Sequence, residues 1–315
     1  MAWGPGQATE LLAGGDAAGV VTVSGLGHTG ATGQVIMPAM TQTSPTGSVS
    51  LVQLVVDFVL PYHDALPRDA VYASGQSAAD LAANQVAQIE TQRAAAIVAG
   101  LRQAGVTVTE VPQVVSVRQS GPSYKRLEVG DLIVAIDGKP MANTDEVRDA
   151  IQAKAVGAAV VVTVDRGGDL VPLSINLVGS TNDGTVPTLG VVLAMGYSYP
   201  ARVAIGLDPA SGGPAQGLPL ALAVALSADP DDLAAGRVVG AVGTITPDGV
   251  IGAVDGIDEY ARSAQLSGAS LFFIPRDACP RLTQSFATMQ IIAVDTLDEV
   301  IGWLSLGSVA AAPAC

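Results

Sequence analysis

The chain has 315 residues, 49% of them apolar but only 4% aromatic, so it can bury a large core built from Val, Leu, Ile and Ala. Only 14% of residues are charged, and 15 Lys and Arg against 29 Asp and Glu give a formal net charge of -14. That acidity repels nucleic-acid backbones and anionic membrane surfaces and excludes both as partners. The 36 Gly and 19 Pro are spread among apolar periodic segments, the pattern of a loop-rich globular chain.

Two cysteines, Cys279 and Cys315, and two histidines, His28 and His63, support no metal site, and no cofactor is expected. The cysteines are either two unrelated thiols or a bridge tying the C-terminal tail to the last domain, which requires an oxidising compartment. No apolar run reaches the ~18 residues that span a bilayer.

In chain order, residues 19–24 (GVVTVS) and 33–41 (GQVIMPAMT) read as strands. Residues 48–60 are strongly apolar and fit strand or helix equally, and 61–76 read as loop. Residues 77–101 are the clearest helix: Ser77 can cap it, Asp80 follows three residues on, and alanine fills its interior. Strand-like alternation over 106–117 leads to a small turn at Ser120-Gly121-Pro122-Ser123 and a short helix ending at Leu127. Next come Val129-Gly130-Asp131, a strand at 132–136, an Asp137-Gly138 turn, a helix at 144–153 and a strand at 159–165. Asp145, Glu146 and Arg148 form the solvated face of that helix.

These features, in this order, resemble a bacterial PDZ domain over residues 103–178. The resemblance implies capture of a peptide C-terminus by strand addition, with backbone N–H groups holding the carboxylate. The glycine-apolar loop that does this should precede Val114, and residues 103–112 contain no convincing one. A PDZ fold used only as a spacer stays open beside a binding one.

Past a polar linker at 179–187, strands are expected at 188–194 and 202–206, followed by a tight turn at Gly212-Gly213-Pro214. The apolar run 218–226 then opens a buried helix, so the turn presents backbone N–H groups at a helix N-terminus. A strand at 237–245, a helix reaching about Leu266, strands at 270–274 and 290–294 and a terminal helix at 296–304 make the last part an α/β unit.

The landmarks Gly212-Gly213-Pro214-x-x-Gly217-Leu218, Gly243-Thr244-Ile245-x-x-Asp248-Gly249, Gly256-Ile257 and Phe273-Ile274-Pro275 resemble the Lon proteolytic domain. With Gly4-Pro5-Gly6, residues 67–72 and the 77–101 helix, nearly the whole chain is similar to membrane-anchored, PDZ-containing Lon-like proteases. The resemblance implies a Lon-type proteolytic-domain fold (α+β or α/β) combined with a PDZ domain. The expected layout is an N-terminal α+β region at 1–102 that helps complete the Lon-like core, PDZ at 103–178, a linker at 179–187, the Lon-like domain at 188–306 and a tail at 307–315.

By the same resemblance, catalysis rests on a serine and a lysine whose amine, desolvated in an apolar pocket, acts as base. The serine position holds Ala215, the lysine position Tyr260, and a supporting threonine position Val242. Lys125, Lys139 and Lys154 are the only lysines, all in the PDZ-like region. Tyrosine, with an ordinary pKa of ~10, is a poor base at neutral pH. No catalytic residues are therefore expected; Gly212, Gly213, Pro214, Ala215, Gln216 and Gly217 are expected to line a peptide-binding turn. An improvised site from Ser211 with Asp255, Asp258 or Glu259 is the weak alternative, since those carboxylates suit the helix dipole.

The implied function is a pseudoprotease with a PDZ domain, binding peptide or protein outside the cytoplasm, anchored by an N-terminal helix missing from this sequence. Its expected partners are a peptide or protein ligand, an active paralogue or membrane protein, and other copies of the chain. An active endopeptidase with a displaced or partner-completed site, and a PDZ adaptor with a structural Lon-like domain, remain open.

Overall fold

The computed structural model describes residues 2–12, 19–26, 33–42, 64–65, 77–181, 183–208, 213–229, 231–306 and 315. The chain divides into two compact units, Met1–Val106 with Ala201–Cys315, and Thr107–Pro200.

The first unit opens with β1 (Ala2–Pro5), β2 (Thr9–Glu10), β3 (Val21–Ser24), β4 (Gln34–Met37), β5 (Met40–Gln42) and β6 (Asp64–Ala65). β1 lies antiparallel between β5 and β6. Helix α1 (Ala78–Gln103) follows. Its Ser77 cap is extended, and the Ser77 hydroxyl accepts the Asp80 N–H at 3.1 Å, satisfying a donor the first turn leaves over. From Ile89 on, α1 buries Ile89, Ala95, Ala96, Val98, Ala99 and Leu101.

The second unit contains β7 (Thr109–Val117), β8 (Leu132–Ile136), β9 (Lys139–Pro140), α2 (Thr144–Gln152), β10 (Ala159–Arg166), β11 (Asp169–Asn176), β12 (Val178–Gly179), β13 (Pro187–Thr188) and β14 (Val191–Ser198). Its main sheet has the order β11-β10-β8-β7-β14, with β9 paired to β8. The β8–β9 turn uses Asp137 (φ 48) and Gly138 (φ 79), the left-handed pair that matches strand twist in a two-residue hairpin. Asp137 also accepts from Lys154 and from the Val161 N–H, and the Lys154 hydrogen bond holds its carboxyl below the usual carboxylate range. One apolar core, including Val114, Ile133, Val147, Ile151, Val162 and Leu189, joins the sheet to α2.

The chain then returns to the first unit through β15 (Arg202–Ile205), which pairs with β3. A single 3-10 turn, Pro214–Gln216, runs into α3 (Gly217–Ala228). That helix is apolar on all sides and buried from Gly217 through Leu226, as a central core helix must be. It packs against α1. Then come β16 (Val238–Ala241), β17 (Thr244–Ile245), β18 (Ile251–Gly252), α4 (Ile257–Leu266), β19 (Leu271–Pro275), β20 (Gln290–Val294) and α5 (Leu297–Ser305). The sheet of this unit has the order β2-β4-β16-β19-β20, and β4, β16, β19 and β20 run parallel. Parallel strands covered on both faces read as unbroken apolar runs, which suits the fully buried β19.

Two expected boundaries change. Residues 188–194 were expected to open the last domain, yet β14 pairs antiparallel with β7 from Val191 opposite Val117 to Ser198 opposite Thr109. The second unit therefore runs to Pro200 rather than 178, and the expected linker at 179–187 contains a turn flanked by the paired strands β12 and β13. From the expected region 1–102, β4 lies inside the sheet of the C-terminal part, Val35 opposite Val239. The apolar stretch 48–60, His28, His63 and most of the expected loop 61–76 lie outside the described residues. Among the described residues no helix is long and apolar enough to cross a membrane, and no group of three or more metal-ligating side chains gathers.

Candidate functional site

In the second unit, β14 ends the strand order, so among the described residues only its inner edge is paired, with β7. An unpaired edge is a template for one more strand. Helix α2 packs against β7, β13 and β14. It starts at Asn143, whose side-chain oxygen accepts the Glu146 N–H at 2.9 Å while Glu146 accepts the Ala142 N–H at 2.9 Å. This reciprocal cap fixes the helix start. Val147 and Ile151, one turn apart, point into the core shared with half-buried Val191 and Leu193 of β14. The result is an apolar floor between a helix and a free strand edge.

The loop entering β14 is Thr188-Leu189-Gly190-Val191. Leu189 is 4% exposed, and its carbonyl accepts from the buried Ser123 hydroxyl at 2.7 Å. Gly190 has φ +68, and a Cβ there would stand 3.1 Å from Gly121 Cα and Pro122 Cδ, so the position calls for glycine. The Gly190 carbonyl accepts the Arg118 N–H at 2.9 Å, and the Gly190 N–H donates to Thr188 Oγ1 at 3.1 Å. Helix α2, the β14 edge that is unpaired among the described residues and the Gly190 loop belong to one unit.

The family model for PDZ domains matches residues 88–177. The chain carries a PDZ domain. It is similar to the PDZ domain of an SdrC-like protein from Listeria innocua, with 30% identity over 26% of this chain and 92% of that one, TM-score 0.25. The PDZ domain of the Listeria monocytogenes SdrC-like protein is 32% identical over 27% of this chain and 87% of that one, TM-score 0.25. A Geobacillus thermodenitrificans solution structure is 31% identical over 27% and 95%, TM-score 0.24. No curated protein matches the chain.

The PDZ match ends before β14, and the glycine loop is expected in residues 103–112. The structure places a glycine-apolar loop at 188–191 instead, entering the last strand of the unit. The signal was present as Leu189-Gly190-Val191 before an alternating run. The polar stretch before it makes this run look like the start of a further domain.

In the first unit, the structure brings Ala215, Val242 and Tyr260 into one apolar cluster with Val254, Ile257 and Ala261. Ala215 is 6% exposed and Val242 is 1% exposed. Burial pushes the Tyr260 hydroxyl up to about 12, with Glu259 and Asp255 adding to the shift, so at neutral pH it is a neutral phenol and no base. The nearby carboxylates have structural partners. Asp255 pairs with Arg281 at 2.9 Å, and Asp258 accepts the Thr283 and Gln284 N–H groups and the Thr283 hydroxyl. Ser211 and Gly212 lie outside the described residues.

The expected peptide-binding turn is largely closed. Gly213 is half-buried and Pro214 exposed, but Ala215, Gln216 and Gly217 are buried. The Gln216 N–H donates to Gly213 at 3.2 Å, the Gly217 N–H to Pro214, and the Leu218 N–H to Gly243 at 2.9 Å. Those donors are spent inside the fold and do not face a ligand. Gly217 is pressed against α1, since a Cβ there would stand 2.3 Å from Gln92 Oε1, which itself accepts the Ile245 N–H at 2.8 Å. Cys279 packs against the same cluster and is joined by a disulfide to Cys315, Cα–Cα 5.4 Å.

Gln216 is the anomaly of this turn: it is 2% exposed, and neither its side-chain oxygen nor its nitrogen has a partner among the described residues. A buried polar group without a partner costs about 1–3 kcal/mol. Gln216→Leu should therefore raise the urea midpoint, by the equivalent of about 1–3 kcal/mol; an unchanged or lower midpoint contradicts this. A second expectation concerns pH. With the folded Tyr260 pKa above its unfolded value of ~10, the buried neutral phenol contributes stability that is full below that value and lost as pH rises towards about 12. Tyr260→Phe should lose less stability than the native chain between those pH values, as read from paired denaturant titrations.

Proposed function

We propose that this chain captures peptide or protein C-termini on its PDZ unit, and that its other unit is a Lon-like protease scaffold retained without chemistry. The observation that carries the first half is the free outer edge of β14 beside α2, entered through a loop with left-handed Gly190. Added strands gain main-chain hydrogen bonds on such an edge, and alternate side chains enter the apolar floor for specificity. The second half is supported by the sequence resemblance and by what occupies its three key positions. Ala215 supplies a methyl in place of a hydroxyl, Tyr260 a neutral phenol in place of an amine, and Val242 an isopropyl in place of a threonine. No lysine stands in residues 188–306 to supply a base.

An extracytoplasmic setting, with a membrane anchor ahead of the sequence, belongs to the same proposal. The Cys279–Cys315 bridge supports the oxidising compartment it requires.

Titration of the full chain with immobilised C-terminal peptides should give saturable binding, while unfolded casein incubated with the chain stays intact. Casein turnover that co-purifies with the chain through successive columns contradicts the non-catalytic reading. Ala215→Ser and Tyr260→Lys should each be silent singly, since either alone leaves half a dyad, and only the pair has the parts for activity. Thiol titration of denatured protein from an oxidising compartment should find no free thiol before reduction and two after it; two free thiols at the outset contradict the proposed setting.

A further inference from the structure

We infer that the seam between α1 and the turn opening α3 holds a small oxyanion with one protonated oxygen, of which hydrogenphosphate is the simplest. This site lies in the first unit and is independent of peptide capture at β14. Six of the described polar or charged residues are buried: Arg93, Ser123, Asp131, Gln216, Glu259 and Ser263. Ser123, Asp131 and Ser263 are hydrogen-bonded within the fold. Among the six, unpaired buried side-chain atoms are Arg93 Nε and both polar atoms of Gln216. Buried polar groups are almost always paired, so each of these calls for a partner.

Both residues stand at one seam. Helix α1 packs against the 3-10 turn Pro214–Gln216. Gln92, next to Arg93, lies so close to Gly217, next to Gln216, that a Cβ there would stand 2.3 Å from Gln92 Oε1. Arg93 follows Ile89 by one helical turn on the buried stripe of α1, and its Nη2 donates to the Asp208 carbonyl at 2.8 Å. A guanidinium carries its Nε–H and one Nη2 N–H side by side, so the unpaired Nε–H leaves Arg93 on the Asp208 side. The Arg93 Nη1 meets Glu90 at 3.5 Å, a long contact to a side chain 56% exposed. A Cβ added at Gly213, whose carbonyl accepts the Gln216 N–H at 3.2 Å, would meet nothing within 4 Å among the described residues.

The unpaired atoms define the ligand. Arg93 Nε–H and the Gln216 amino group are donors and call for acceptor oxygens, and Arg93 is the one buried cation among the described residues. Gln216 Oε1 is an acceptor and calls for a donor. A carboxamide meets both demands at once against a centre that carries an oxo oxygen beside a hydroxyl, through two parallel hydrogen bonds. Hydrogenphosphate has that pair and a further oxygen for Arg93. Sulfate has the oxygens but no hydroxyl at neutral pH. The positive end of the α3 dipole lies at the same turn and favours an anion, while the first backbone donors of α3 are spent inside the fold. Side chains therefore make the contacts.

Equilibrium dialysis of the full chain against radiolabelled phosphate, in chloride buffer at neutral pH, should find one saturable site. Sulfate at matched ionic strength should compete about tenfold less well, the size of one hydrogen bond. Phenyl phosphate, too bulky for a seam that buries both side chains, should not compete. Gln216→Leu removes both carboxamide atoms and should abolish the bound phosphate. Arg93→Lys keeps the charge, loses the side-by-side donors and should weaken binding about tenfold. Urea titration of the same proteins shows that they fold: saturating phosphate should raise the native midpoint and leave that of Gln216→Leu unmoved. No saturable phosphate on the native chain overturns the site, and so does sulfate or phenyl phosphate competing as well as phosphate. Phosphate retained by folded Gln216→Leu, or bound undiminished by folded Arg93→Lys, overturns it too.

Discussion

The strand order of the second unit depends on the antiparallel ladder between β14 and β7. That ladder attaches the last strand of the unit to the first and leaves β14 with one satisfied edge and one open edge. Open edges invite indiscriminate pairing unless something limits what reaches them. Here α2 packs beside the strand, so an incoming segment must fit between strand and helix. The loop at the end of the groove is held before any ligand arrives. Ser123 grips the Leu189 carbonyl, Arg118 the Gly190 carbonyl, and Thr188 the Gly190 N–H. A loop ordered in advance spares the ligand the entropy of ordering it, which is how a small groove reaches useful affinity.

The turn of the first unit shows the opposite economy. Its N–H groups bond to Gly213, Pro214 and Gly243, its side chains join an apolar cluster, and Gln92 clamps the strand behind it. A serine and a lysine buried at Ala215 and Tyr260 would need partners or would stand desolvated, at a cost of several kcal/mol for an unpaired charge. A methyl group and a half-buried phenol ring meet no such demand. Around Ala215 and Tyr260 the packing is hydrophobic contact. Gln216 alone breaks that rule, with a carboxamide shut inside the turn.

Local signals in the sequence account for much of the fold. Ser77 and the alanine-rich run after it mark α1, Asp137-Gly138 marks the β8–β9 hairpin, and the uniformly apolar run from Leu218 marks a buried helix. What could not be read locally are pairings between distant segments. Strand β14 follows a polar turn and looks like the start of a new domain; only its register with β7 shows where it belongs. Strand β4 runs parallel to β16, which lies far along the chain, beyond the whole second unit. Parallel neighbours are never joined by a hairpin, so no turn residue announces them. The glycine turn is hard to read locally for a related reason. Its pattern promises exposed donors, but the Gly243 carbonyl that consumes one of them comes from a different segment.

Binding and chemistry make different demands on a scaffold. Strand addition needs an open edge, a shaped apolar floor and a few fixed donors, and most of those are backbone atoms that substitution leaves in place. Acid–base chemistry needs particular side-chain atoms whose pKa values are tuned by their surroundings. The charge distribution follows this division. All three lysines lie in the unit with the groove, where Lys154 is held by Asp137 at the surface, and none stands in the apolar cluster where burial would make an amine basic at neutral pH. In that cluster burial acts on a phenol instead, and drives its pKa away from neutrality. The same desolvation that would activate a lysine therefore silences the tyrosine.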